Sequence, residues 1–179
     1  AYDMLAQSEH DESAQSILIT DDDLFAKEVS NNIKSIIKTS DRSDIIKKSI
    51  NRNGLIIIIK DLKKSYDLIN KIAPEHLSLM FKDAQKIEKN ITNAGVIFMG
   101  KWTPEAMGDY IMGPSHVLPT NGASKNSSGL SVYNFIKKIS SIKNSQKTVK
   151  ILGPSARIIA ECEGLDAHAK SIQVRLNGK

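Results

Sequence analysis

Short apolar runs and longer periodic segments alternate along the first hundred or so residues of this chain. Ser16 to Thr20, Leu55 to Ile59 and Gly95 to Met99 are rich in β-branched residues and have turn formers nearby, which predicts strands rather than helices. These runs are apolar on both faces, most plainly from Ile56 to Ile59, as parallel strands covered by helices are. Between them, Asp22 to Ile37 repeats Leu24, Phe25, Val29, Ile33, Ile36 and Ile37 near 3.6 spacing. Its acids come early and Lys34 and Lys38 late, an order that suits the helix dipole. Further helices are predicted over Asp41 to Asn51, before the Asn53-Gly54 turn signal, over Asp61 to Ile72, stopped by Pro74, and over about Asp83 to Ile91. Alternating strand and helix predicts an α/β layered domain.

The pattern changes at Gly108. From there to Gly129 the chain carries Gly113, Pro114, Pro119 and Gly122 with few periodic apolar residues, a loop long enough to suggest function. Its polar content (Asp109, Tyr110, Ser115, His116, Thr120, Asn121, Ser127, Ser128) fits that reading. Beyond it, Ser131 to Lys138 and Pro154 to Cys162 read as helices, and Ile172 to Leu176 alternates like a final strand. Leu5 and its neighbours look like mid-helix, so the chain reads as beginning inside a larger protein.

Composition narrows the class. With 179 residues, 40% of them hydrophobic and 25% charged, the chain buries a core and is not a disordered tail. Its longest apolar run, Leu55 to Ile59, is far short of the roughly 20 residues a bilayer requires. No secretory leader begins it, and one cysteine, Cys162, excludes an intrachain disulfide; both fit a cytoplasmic protein. The net charge of +5 raises nucleic acid as a partner. However, the lysine pairs at 47–48, 63–64 and 137–138 lie on separate predicted helices, and aromatics are only 5%, so no stacking platform accompanies them.

The histidines carry the chemistry. All four sit in polar, acid-bearing contexts: Gln7-Ser8-Glu9-His10, Pro74-Glu75-His76, Asp109 to His116, and Glu163 to His168. Imidazole suits both proton transfer near neutral pH and metal ligation. Gln7 and His10 are three apart and share a face if helical. Glu75 beside His76, after a proline, supplies a base and a group to tune it, or else is a polar turn. Glu163 and His168 have Gly164 between them and need not share a helical face. Gln7, His10, Asp109 and His168 together would make a mixed N/O set suited to zinc. The alternative is that these histidines are solvated or capping residues.

The runs Leu5 to Asp11, Ile72 to Leu77, Asn93 to Phe98, Gly108-Asp109-Tyr110, His116 to Thr120, Ser127 to Tyr133 and Glu163 to His168 closely resemble histidinol dehydrogenase, in that family's order and over nearly the whole chain. The resemblance implies a zinc- and NAD-dependent enzyme that oxidises L-histidinol through L-histidinal to L-histidine. It assigns Gln7, His10, Asp109 and His168 as zinc ligands that also meet substrate, Glu75 and His76 as the acid/base pair, and His76, His116 and Glu163 as further substrate contacts. The family is more than twice this length, so the chain is expected to be a C-terminal portion. No Gly-rich dinucleotide fingerprint occurs in it, and NAD-binding residues are expected outside it. The implied fold is an incomplete Rossmann-like domain over residues 1–130, with helices on a mostly parallel sheet, followed by a small, mainly helical dimerisation domain over 131–179. The family further implies a homodimer with shared active sites, without nucleic acid or membrane partners. A catalytically silent zinc-binding or dimerisation module is the alternative.

Overall fold

Asp22 begins the longest helix of the first half by accepting hydrogen bonds from the Leu24 and Phe25 amides at 2.8 and 3.0 Å, the side-chain cap that orphaned N-terminal amides require. In the computed structural model, which describes residues 1–178, this helix is α2 (Asp23–Ile36), continued by a 3-10 turn (Ile37–Thr39). It follows α1 (Tyr2–Ser8) and β1 (Ile17–Thr20) and precedes α3 (Ser43–Asn53) and β2 (Leu55–Ile58). Val29, Ile33 and Ile37 bury the α2 stripe against Leu5 of α1 and Ile46 of α3. Leu24 and Phe25, expected on that stripe, are instead exposed, because they occupy the capped first turn beyond the core.

β1 and β2 pair in parallel, Ile17 opposite Leu55 and Thr20 opposite Ile58. After a 3-10 turn (Leu62–Lys64) and α4 (Tyr66–Ile72) comes β3 (His76–Leu79), then α5 (Ala84–Glu88), β4 (Val96–Met99) and α6 (Glu105–Tyr110). β3 and β4 are also parallel, His76 opposite Val96 and Leu79 opposite Met99. The class is therefore α/β with parallel strands, as the alternation predicts. The strands form two separate pairs among the described residues rather than one continuous sheet. Leu55 and Ile58 stay about half exposed, at 49% and 52%, so β2 is less covered than its apolar sequence suggests.

Two elements are absent from the sequence reading. β3 is only four residues long, and its polar neighbours at 74–76 hide it. α6 is six residues long and contains Gly108, which has poor helix propensity, so the segment reads as loop. The loop that follows carries a 3-10 turn at Ala123–Lys125.

The chain divides into two compact units, the first ending at Phe135 and the second beginning at Ile136. The helix expected over Ser131 to Lys138 is only a 3-10 turn, Val132–Phe135. In the second unit, α7 (Gln146–Cys162) begins eight residues before the expected start, with Ser145 capping the Thr148 amide and Pro154 held inside the helix. Ile172 to Leu176 is not a strand but the end of α8 (Asp166–Leu176). Five alternating residues also satisfy a helix: Ile172 and Leu176, four apart, both lie against Gly153 of α7. Arg157 Nη1 donates to Gln173 Oε1 at 2.6 Å and pins the two helices together. Among the described residues no helix is long and apolar enough to cross a membrane.

Candidate active site

Backbone constraints bring His76 to its place. α4 ends at Ala73, a buried non-glycine residue in the left-handed region (φ 54°) whose carbonyl accepts a hydrogen bond from the buried Ser124 hydroxyl at 2.9 Å. A non-glycine residue held there is strained and persists only when its surroundings over-determine it. The Gly95 amide then donates to the Pro74 carbonyl (2.9 Å) and the Val96 amide to the Glu75 carbonyl (3.0 Å). A Cβ at position 95 would lie 2.5 Å from the Glu75 oxygen, so this approach requires glycine.

α6 supplies the other wall. A Cβ on Gly108 would sit 2.4 Å from the Phe98 ring, so the helix lies directly on β4 only because residue 108 has no side chain. Glu105 and Asp109, one turn apart on α6, share one face, and both reach His76. His76 Nδ1 is 3.4 Å from Glu105 Oε1, and Nε2 is 3.6 Å from Asp109 Oδ1. The imidazole is also tilted 31° against Phe98, with ring centroids 6.0 Å apart. Its side chain is 11% exposed, and neither ring nitrogen has an aligned hydrogen-bond partner. The acids at the ring nitrogens are thus Glu105 and Asp109, not the sequence neighbour Glu75.

Electrostatics show how many carboxylates converge. Burial, reinforced by the charges of Asp109, Glu75 and Asp3, raises the Glu105 carboxyl to about 7. Asp3 lies on α1, four residues before Gln7 and on the same helical face. The Gln7 Oε1 atom is buried and also has no hydrogen-bond partner. An unmatched buried polar atom costs about 1–3 kcal/mol. Gln7 and His76 thus leave three such atoms in the first unit without a partner.

The remaining candidates lie elsewhere. His10 follows α1, its amide reaching the Gln7 carbonyl at 3.4 Å, and is exposed; the helix stops before it, so the expected shared helical face is not formed. His116 is exposed in the loop after Gly113-Pro114. Glu163 terminates α7 and His168 lies in the first turn of α8, both exposed in the second unit, with Gly164 (φ +73°) making the turn between the helices. Glu105 is a further site residue that the sequence does not single out. The only signal for it was Glu-x-x-x-Asp after Pro104, legible only once the segment is known to be helical. Donor atoms of His76, Glu105 and Asp109 lie within 4.8 Å of one another, so they offer nitrogen and oxygen to one divalent cation or a shared path to one proton.

Fold and site thus define an α/β protein with a buried imidazole held between carboxylates, equipped for metal-assisted or acid–base chemistry. A family model described as histidinol dehydrogenase matches residues 1–176, and the chain belongs to the histidinol dehydrogenase family. It is 46% identical over 178 residues to histidinol dehydrogenase 1 of Trichormus variabilis, covering 99% of this chain and 41% of that protein. It is 44% identical over 176 residues to histidinol dehydrogenase of Gluconobacter oxydans, covering 98% and 41%. The crystal structure of histidinol dehydrogenase from Elizabethkingia anophelis superimposes with a TM-score of 0.90 at 34% identity, over 99% of this chain and 41% of that one. The chain therefore spans about 41% of the length of these relatives.

Proposed function

We propose that this chain is the C-terminal portion of a histidinol dehydrogenase, a cytoplasmic biosynthetic enzyme that oxidises L-histidinol through L-histidinal to L-histidine with two NAD. The observation that carries the reading is His76: a buried imidazole, flanked by acids and without aligned partners, within a family match along 1–176. The donor chemistry also fits the implied metal. Gln7 offers an orphaned buried oxygen and Asp109 a partly buried carboxylate, and the imidazoles of His10 and His168 complete a mixed N/O set. When bound, zinc supplies a Lewis-acid anchor that orients the substrate, and NAD, held by residues outside this chain, takes the hydride.

The chain's own residues perform the proton chemistry. His76 takes the alcohol proton as hydride leaves the carbinol carbon. Glu75, fixed by its carbonyl on Val96, activates the water that adds to the aldehyde, and the hydrate is oxidised in the second step. His116 and Glu163 contact substrate. Because Glu163 and His168 are exposed in the second unit, we assign them to the neighbouring subunit's site in a homodimer whose small C-terminal unit is the dimerisation domain.

The test is NADH formation by the whole enzyme supplied with histidinol. Two NADH per histidinol consumed are expected, and no histidinol-dependent NADH from folded, zinc-loaded enzyme would refute the assignment. The 179-residue chain alone should bind NAD poorly and turn over nothing.

A further inference from the structure

We propose that Glu105 is a positioning residue for His76: its carboxylate accepts the Nδ1–H and leaves Nε2 as the nitrogen that takes the substrate's proton. This rests on the reading of His76 as the base. A neutral imidazole has one donor and one acceptor nitrogen, and the bond made by one decides the role of the other. His76 has a carboxylate oxygen near each nitrogen, Glu105 at 3.4 Å from Nδ1 and Asp109 at 3.6 Å from Nε2, so geometry alone offers two tautomers.

Two features break that symmetry. Asp109 is committed to the metal in the proposed site, whereas His76 is the one basic side chain within ion-pair range of Glu105 among the described residues. Glu105 also holds the nearer of the two oxygens and is the more buried acid, at 12% exposed against 18% for Asp109. The scaffold keeps the pair together: β3 holds the His76 backbone against β4, and the Gly108–Phe98 contact sets the height of α6. At 3.4 Å without alignment, the bond is of the kind that is long in a free enzyme and tightens with substrate.

Removing Glu105 should then let His76 populate both tautomers and turn in its pocket. The test uses the whole zinc-loaded enzyme as wild type, Glu105→Ala and Glu105→Gln. Glu105→Ala should lower kcat about 10- to 100-fold, as loss of a group orienting a site residue does, with KM for histidinol moving less than about threefold. Glu105→Gln keeps an acceptor oxygen at the same reach and should recover kcat to within about tenfold of wild type. Selective 15N labelling of histidine, with His76 assigned by its loss in His76→Asn, should show the Nδ1–H tautomer in wild type and Glu105→Gln and a mixture in Glu105→Ala. Zinc per subunit should be the same in all three. An unchanged tautomer and wild-type kcat in Glu105→Ala would overturn the proposal. So would zinc loss in either variant, which would make Glu105 a ligand. Wild-type enzyme that fails to oxidise histidinol would defeat the functional reading instead, while the tautomer measurement would still decide the role of Glu105.

Discussion

The first unit hides its chemistry and the second displays it. His76, Glu105 and Asp109 are mostly buried, locked between β3, β4 and α6 by a glycine that admits an aromatic ring. Glu163 and His168, from the same family motif set, sit at the junction of two helices in open solvent. A side chain organised by its own unit can be oriented without help, because packing removes its rotamer freedom. An exposed one must gain its orientation from something that docks on it. On the proposed reading the contrast is a division of labour, in which the first unit builds a site and the second lends groups to one.

Subunit mixing is the strongest way to break that contrast. His76→Ala and His168→Ala homodimers of the whole enzyme should each be nearly inactive, and a heterodimer of the two should regain about half of wild-type activity, one site of two being free of both lesions. Distinguishably tagged heterodimers with no activity above the parents would remove the shared-site assignment. Metal content comes next in size. His10→Ala or His168→Ala should each strip zinc and activity together, and zinc equal to wild type by elemental analysis would show that exposed histidines serve another purpose.

A smaller, selective effect is expected at Glu75. Glu75→Gln should slow oxidation of supplied histidinal more than that of histidinol, since water activation belongs to the second step. Equal losses on both substrates would end that division of roles. Packing can be compared directly between the units. Gly108→Ala drives a methyl into the Phe98 ring and should cost about 1–3 kcal/mol. Gly153→Ala meets the Leu176 methyl at 2.9 Å, the end of a flexible side chain, and should change stability by about 1 kcal/mol or less. Denaturant midpoints of the two variants would test the ranking.

A last effect is on pH. The folded state holds the Glu105 proton more tightly than the unfolded chain, because its carboxyl is raised from 4.5 to about 7. Its contribution to stability is thus complete below pH 4.5 and is lost as pH rises through about 7. In metal-free protein, Glu105→Gln should flatten the fall in urea midpoint across that window, and an unchanged slope would show that the carboxyl is not buried as described.

Much of this molecule was legible in the residues. β1, β2, β4 and α2 follow from apolar runs and period, because a strand or helix that buries one surface must repeat its apolar side chains at that element's own spacing. The family motifs likewise single out Glu75, His76 and Asp109 as candidates. The short elements escaped. β3 is held by its register with β4 and by the strained turn at Ala73, and α6 by the fit of Gly108 on Phe98; these are packing and backbone constraints that leave no apolar period in the sequence. The alternation at 172–176 misled for the same reason, since five residues carry too little period to separate a strand from the end of α8. Residue types and their order thus determined which family the chain belongs to. Only the tertiary structure decided that His76 meets Glu105 rather than Glu75, because adjacency along a chain fixes backbone distance, while side-chain partners are chosen by the elements that pack together.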